Sequence, residues 1–241
     1  MTIENTELAS FVTCGAETLG INLPPEACRA FETYYELLDK RGKNVNLTSI
    51  TGVSDVARLH FLDSIALLKT AQFTGARVID IGSGAGFPGI PLKIAEPSID
   101  LTLLDATGKR VAFLAELNAA LFLDAACIHE RAEIAAHLPD LRESFDIVVS
   151  RAVARLNILC ELCLPFVRVG GTFIAMKDID SAQEISQARS AIDALGTELA
   201  DCVDYVIPCT DTSHRAVVLF KTSGTPVKYP RRFARIQKVP L

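Results

Sequence analysis

No stretch of this chain is long and apolar enough to span a bilayer. The amino terminus, Met1 to Ser10, is acidic and lacks the charged-then-apolar pattern of a signal peptide. The expectation is a cytoplasmic protein with no membrane partner. A disulfide framework is missing too: the 7 cysteines are an odd number without framework spacing, and most sit in apolar company. Cys160-x-x-Cys163 has no second pair of ligands, which argues against zinc, and no metal is expected. What remains is free, buried thiols in a reducing compartment. Internal repeats, low-complexity tracts and an inter-domain linker are absent as well.

Acidic residues are missing from the whole carboxyl-terminal end. From Arg215 to Leu241 there are 7 Lys or Arg and no Asp or Glu, so the other residues carry 24 − 7 = 17 basic against 29 acidic groups, or −12. That asymmetry points to a polyanionic partner for the carboxyl-terminal end. Within it, Lys228, Arg231, Arg232, Arg235 and Lys238 read as phosphate contacts, with Tyr229 or Phe233 able to stack on a base.

The chain is 49% hydrophobic, ample for a core. Apolar spacing predicts helices near 7–19, 25–40 and 54–69, with His60 and Asp63 one turn apart on the last. From Arg77 onward strands and helices alternate. Strands are predicted at 77–81, 100–104, 125–128, 145–149 and 172–176, with a closing hairpin near 203–207 and 216–220. Helices are predicted at 89–95, 108–122, 156–167 and 181–195. This pattern predicts an α/β fold with a doubly wound sheet, residues 71–241, behind a helical cap, residues 1–70, in one compact unit. The tyrosines Tyr34 and Tyr35 read as core.

The most informative stretch runs from Val78 to Gly89. A β-branched run ends in Asp80, and a glycine-dense turn follows. Such a turn offers free N–H groups and close backbone approach. It is not the dinucleotide fingerprint G-x-G-x-x-G, because the glycines fall at 82, 84 and 86 and Phe87 takes the third slot. Asp80-x-Gly82-x-Gly84-x-Gly86 instead resembles motif I of class I S-adenosylmethionine (SAM) methyltransferases. In doubly wound sheets the ligand sits outside the carboxyl ends of the strands. The polar residues there are Asp80, Asp105, Glu133 and Arg151. Asp105 can accept two ribose hydroxyls, and Ala132-Glu133 can edge an adenine. Asp80 either anchors the turn or reaches the cofactor's ammonium through water.

The end of strand four bears on what is methylated. Exocyclic-amine methylases carry Asp/Asn-Pro-Pro-aromatic there, whereas this chain has Ser150-Arg151-Ala152-Val153. Cytosine C5 chemistry needs a nucleophilic cysteine, and Pro208-Cys209 lies in the closing hairpin, far from the site by this topology. Guanine N7 has an exposed lone pair and no proton to lose, so alignment alone suffices. Arg151 is assigned to positioning.

Five stretches together resemble one family: Asn46–Ile50, Leu59–Ser64, Gly82–Pro91, Leu103–Leu114 and Ser150–Ala152. They are similar to the RsmG (GidB) family, bacterial enzymes that make 7-methylguanosine in 16S ribosomal RNA. The resemblance returns at Lys228–Arg232, although the Gly-x-Pro that many relatives carry next is here Phe233-Ala234-Arg235. It implies a class I fold with a seven-stranded, mostly parallel sheet, and SAM contacts by Gly82, Phe87, Ala132, Glu133 and Arg151. It places His60, Lys109, Arg110 and Lys177 near RNA. The implied partner is 16S ribosomal RNA or the small subunit, with S-adenosylhomocysteine as co-product and a monomer expected. Two other classes stay open on sequence alone. One is an NAD-dependent oxidoreductase, disfavoured by the glycine register and the lack of a Tyr-x-x-x-Lys pair. The other is a binding protein without catalysis.

Overall fold

The computed structural model describes residues 3–45, 47–151 and 154–241. Asn46 and Ala152-Val153, parts of two stretches singled out above, lie outside the described residues. Seven strands form one sheet: β1 (Arg77–Ile81), β2 (Asp100–Asp105), β3 (Ala125–His129), β4 (Phe145–Arg151), β5 (Val167–Asp178), β6 (Thr197–Val206) and β7 (Ser213–Lys221). Their spatial order is β3-β2-β1-β4-β5-β7-β6. The first five are parallel, and β7 runs antiparallel to both β5 and β6. The order reverses between β1 and β4, which opens a crevice at the carboxyl ends of those strands.

Alternation along the strands divides the core in two. Val78, Leu101, Leu103, Val149 and Ile174 pack on one face beneath α1 (Ile3–Thr18), α2 (Ala27–Val45) and the helical run 53–69. Ile79, Leu104, Val148, Phe173 and Val217 face the other way, against helix Leu156–Cys163 and the carboxyl-terminal segment. A strand buried on both faces must be apolar at successive positions, as Val78-Ile79 and Val148-Val149 are.

Several elements depart from the sequence expectation. The run 53–69 is not a plain α-helix: it passes through a π-helical turn at Ala57–Leu62 and ends in a 3₁₀ turn at Ala66–Lys69. His60 lies on that π-helical turn and is buried. The helix expected at 156–167 stops at Cys163 because Pro165 cannot continue it, and Val167 already opens β5. The helix expected at 181–195 is two, Ala182–Gln187 and Arg189–Ala194. At the junction the Ala188 N–H is shared between the carbonyls of Glu184 and Ile185, each at 3.1 Å. β6 begins six residues before its predicted start; it is an edge strand, mostly exposed, so Thr197–Asp201 carries no apolar alternation.

The basic carboxyl-terminal segment is packed into the fold. Tyr229 and Ile236 are buried in the second core. The Arg142 guanidinium donates to the carbonyls of Thr225, Tyr229 and Ala136 at 2.8, 3.0 and 3.1 Å. Lys221 is buried with its ammonium donating to the carbonyls of Leu164 and Leu195, and burial pushes its pKa down to about 8.

Candidate active site

The crevice is a cleft of about 990 Å³. One side is the turn after β1. Gly82, Gly84 and Gly86 adopt φ of +74°, +58° and +103°, conformations that favour glycine. The turn is pinned from below. Asp80 lies wholly buried under it, with Oδ2 accepting the Gly89 N–H at 2.9 Å, while its own carbonyl accepts the Ser83 hydroxyl at 2.9 Å. Burial pushes the Asp80 pKa up to about 7. Asp80 thus anchors the turn through Oδ2, while its buried Oδ1 has no partner among the described residues. From the side, the buried Tyr34 of α2 donates to the Ala85 carbonyl at 2.6 Å. A cap residue read only as core therefore holds the turn.

Asp105, at the end of β2, closes this side. Its Oδ2 accepts the Gly84 N–H at 2.9 Å and its Oδ1 accepts the Thr107 N–H at 2.8 Å. Each carboxylate oxygen can accept a second hydrogen bond, so Asp105 can order the turn and still meet hydroxyls at the cleft. Arg110 reaches Asp105 at 3.7 Å and lines the cleft; Lys109 beside it is exposed.

Phe87 walls the middle of the cleft. Its ring stacks on Tyr34 at 5.2 Å and on His60 at 4.3 Å, and the Arg151 guanidinium lies over it at 4.7 Å. Arg151, the last residue of β4, donates through Nη1 to the Leu59 carbonyl at 3.1 Å and to Asp63 Oδ2 at 3.3 Å. Its Nη2 lies 3.0 Å from His60 Nδ1. Nδ1 also lies 3.1 Å from the Leu59 carbonyl, and Nε2 lies 2.7 Å from Thr48 Oγ1. Burial and then the Arg151 charge lower the His60 pKa to about 3, so the ring is neutral near pH 7.

The far side is built by residues that the sequence did not bring together. Asp63 is buried, and its Oδ1 accepts the His214 Nδ1–H at 2.8 Å and the Tyr205 hydroxyl at 2.9 Å. Because β7 is antiparallel, its first residues arrive where the parallel strands end. The closing hairpin is therefore not remote from the site: Thr212 and His214 line the cleft, although Cys209 does not. Only the His60–Asp63 spacing hinted at this cluster.

Other expected residues are already paired or lie outside the cleft. Lys177 lines the cleft, but its ammonium donates to the Ala154 carbonyl at 2.7 Å and to Glu184 at 2.6 Å. Ala132 and Glu133 follow β3 outside the cleft-lining set, with Glu133 in an ion pair to Arg131 at 2.5 Å. Arg231 is bound to the buried Glu161 on the second face, and Arg232 is exposed.

A sheet of this order, with a glycine turn after β1 and a carboxylate after β2, defines a protein of the class I SAM-dependent methyltransferase architecture. Solved structures agree on the fold. A methyltransferase from Pyrococcus furiosus superposes with a TM-score of 0.57 at 11% identity, covering 79% of this chain and 97% of that one. TYW2 from M. jannaschii, solved in complex with AdoMet, gives 0.50 at 16%, covering 65% and 74%. Residues 27–211 match the GidB family, described as rRNA small subunit methyltransferase G. Proteins of that name from Caldanaerobacter subterraneus and Bacillus subtilis are 45% and 40% identical, covering 94% and 95% of this chain and 95% and 97% of theirs. The chain belongs to the GidB family.

The residues present fit an adenosyl cofactor. A Cβ built on Gly84 meets nothing nearer than the Gly82 carbonyl at 3.8 Å, although Gly84 lines the cleft. The backbone there is an open cradle between an aromatic wall and a carboxylate. Replacing Asp105 with alanine should weaken SAM binding by about 1–3 kcal/mol, the cost of losing hydrogen bonds to a charged group. Calorimetric titration measures it, and an unchanged Kd would reduce Asp105 to a clip on the turn.

Proposed function

We propose that the protein transfers the methyl group of SAM to N7 of a guanine in 16S ribosomal RNA, as naked RNA or within the small subunit, in the bacterial cytoplasm. The observation that carries the guanine N7 reading is the end of β4. Ser150 donates its hydroxyl to the Ile81 carbonyl at 2.9 Å and is buried, and Arg151 is committed to Leu59, His60 and Asp63. Neither supplies the acceptor pair that an exocyclic amine needs. When bound, SAM supplies an electrophilic methyl on a sulfonium and leaves as S-adenosylhomocysteine. The protein's own work is alignment: the glycine turn and Asp105 hold the adenosyl end, Phe87 shapes the middle, and the far wall receives the base. Arg151 keeps this geometry; its positive charge does not favour a cationic product.

Labelled SAM, small subunits lacking the modification and nucleoside mass spectrometry test the reading. The expected product is 7-methylguanosine. The single-turnover rate should show no acid limb, because N7 has no proton to remove and the reaction needs no deprotonated base. A methyl on an exocyclic amine or on cytosine would overturn the reaction class.

A further inference from the structure

The far wall holds a second constellation. Asp63 receives three donors from three strands: Arg151 from β4, Tyr205 from β6 and His214 from β7. Arg151 spends its other bonds on Leu59 and His60. Tyr205 is mostly buried and spends its hydroxyl on Asp63. His214 differs. It lines the cleft, 25% of its side chain is exposed, and its Nε2 has no partner among the described residues.

We propose that Asp63 and His214 form a pair that grips the acceptor nucleotide, Asp63 being the positioning residue and the His214 Nε2–H the donor to an oxygen of the RNA. This rests on the function proposed above. An ionised carboxylate only accepts, so Nδ1 donates to Asp63 and Nε2 is the edge left for a ligand. The pair lies across the cleft from the glycine turn, where the acceptor must sit if the cofactor occupies that turn. The charges facing His214 are Asp63 from the run 53–69, Asp178 from β5 and Arg151 from β4. The hydrogen bond to Asp63, outweighing burial, raises the His214 pKa, and Asp178, its register partner, adds to the rise. The protonated ring can donate from Nε2; the neutral ring with Nδ1–H on Asp63 cannot.

The oxygen is either a phosphate oxygen or guanine O6, and salt separates them. A phosphate contact adds about 0.7 to the slope of log K against log salt on single-stranded RNA, and an O6 contact adds nothing.

The test is kcat/KM for undermethylated small subunits between about pH 6 and pH 9, with SAM saturating, alongside NMR titration of His214. In the wild type kcat/KM for RNA should fall as pH rises through the His214 pKa, while kcat at saturating RNA holds. His214→Asn should lower kcat/KM at low pH to the wild-type alkaline plateau, about tenfold to a hundredfold, the loss of one charge-assisted bond. His214→Arg should flatten the profile. Asp63→Asn should move the His214 titration to lower pH, and the alkaline limb with it. A salt slope that falls by about 0.7 on raising the pH assigns the phosphate, and a constant slope with a changed Kd assigns O6. A limb that persists in His214→Arg, or a His214 pKa unmoved in Asp63→Asn, overturns the pair. Failure of the wild type to make 7-methylguanosine would overturn the function instead, and the NMR titration still reports on Asp63 and His214 in that case.

Discussion

Replacing Gly84 with valine is expected to lower SAM affinity at least about a hundredfold, or roughly 2.7 kcal/mol, while the protein stays folded. Gly84 sits at φ +58°, where a β-branched residue is strained, and its N–H is held by Asp105. The protein side is open, since the nearest atom to a new Cβ is 3.8 Å away. The valine methyls would therefore occupy the cleft rather than the core, and the ligand takes most of the damage. Gly86 makes the opposite case. A Cβ there would lie 2.6 Å from the Tyr34 hydroxyl and 2.8 Å from Ile90, so Gly86→Ala forces the cap and the turn apart. Calorimetry with SAM and a thermal melt separate the two variants. Near-normal SAM affinity in Gly84→Val would remove the turn from the cofactor site.

The difference between these glycines shows what the sequence could carry. A turn of three glycines after a strand is local chemistry, and its position, its acid and the strands around it are legible because neighbours in the chain are neighbours in space. The parallel strands are legible for the same reason: Val78-Ile79 and Ile147–Val149 are apolar runs closed by polar residues, Asp80 and Ser150. The far wall has no such signature. Tyr205 and His214 stand 142 and 151 residues from Asp63, and nothing in their own segments marks them. They meet because a single antiparallel strand reverses direction beside β5. Tyr34 shows a third case. Its apolar spacing was legible and its burial followed, yet the hydroxyl's partner lies on the glycine turn 51 residues away. Charge density misleads in the same manner, because a count of arginines does not show which of them already has a partner.

Arg231 is such an arginine, and its replacement by alanine is expected to cost about 3–5 kcal/mol of stability, the penalty for breaking a buried ion pair from one side. Glu161 is fully buried on helix Leu156–Cys163. Its Oε2 lies 2.6 Å from Arg231 Nη2, and its Oε1 accepts Nε at 2.8 Å and the Arg231 backbone N–H at 2.7 Å. Arg231→Ala leaves that carboxylate with the backbone donor alone. Arg231→Lys should fall between, because a point ammonium cannot reproduce a planar fork. The double variant Glu161→Leu with Arg231→Met should recover most of the loss, since no charge is then left buried. Urea unfolding at constant m-value measures all three. The same contact changes what truncation after Val227 does: losing Tyr229, Arg231 and Ile236 opens the second core, so the shortened chain should melt earlier as well as bind RNA less well. The exposed Lys228, Arg232, Arg235 and Lys238 are the tail charges left for phosphates; Lys228 also lies over the Tyr229 ring, so reversing the other three should flatten the salt dependence of RNA binding without moving the melt. If Arg231→Ala instead changed the salt slope and left stability untouched, the guanidinium would belong to RNA and the pair with Glu161 would be dispensable.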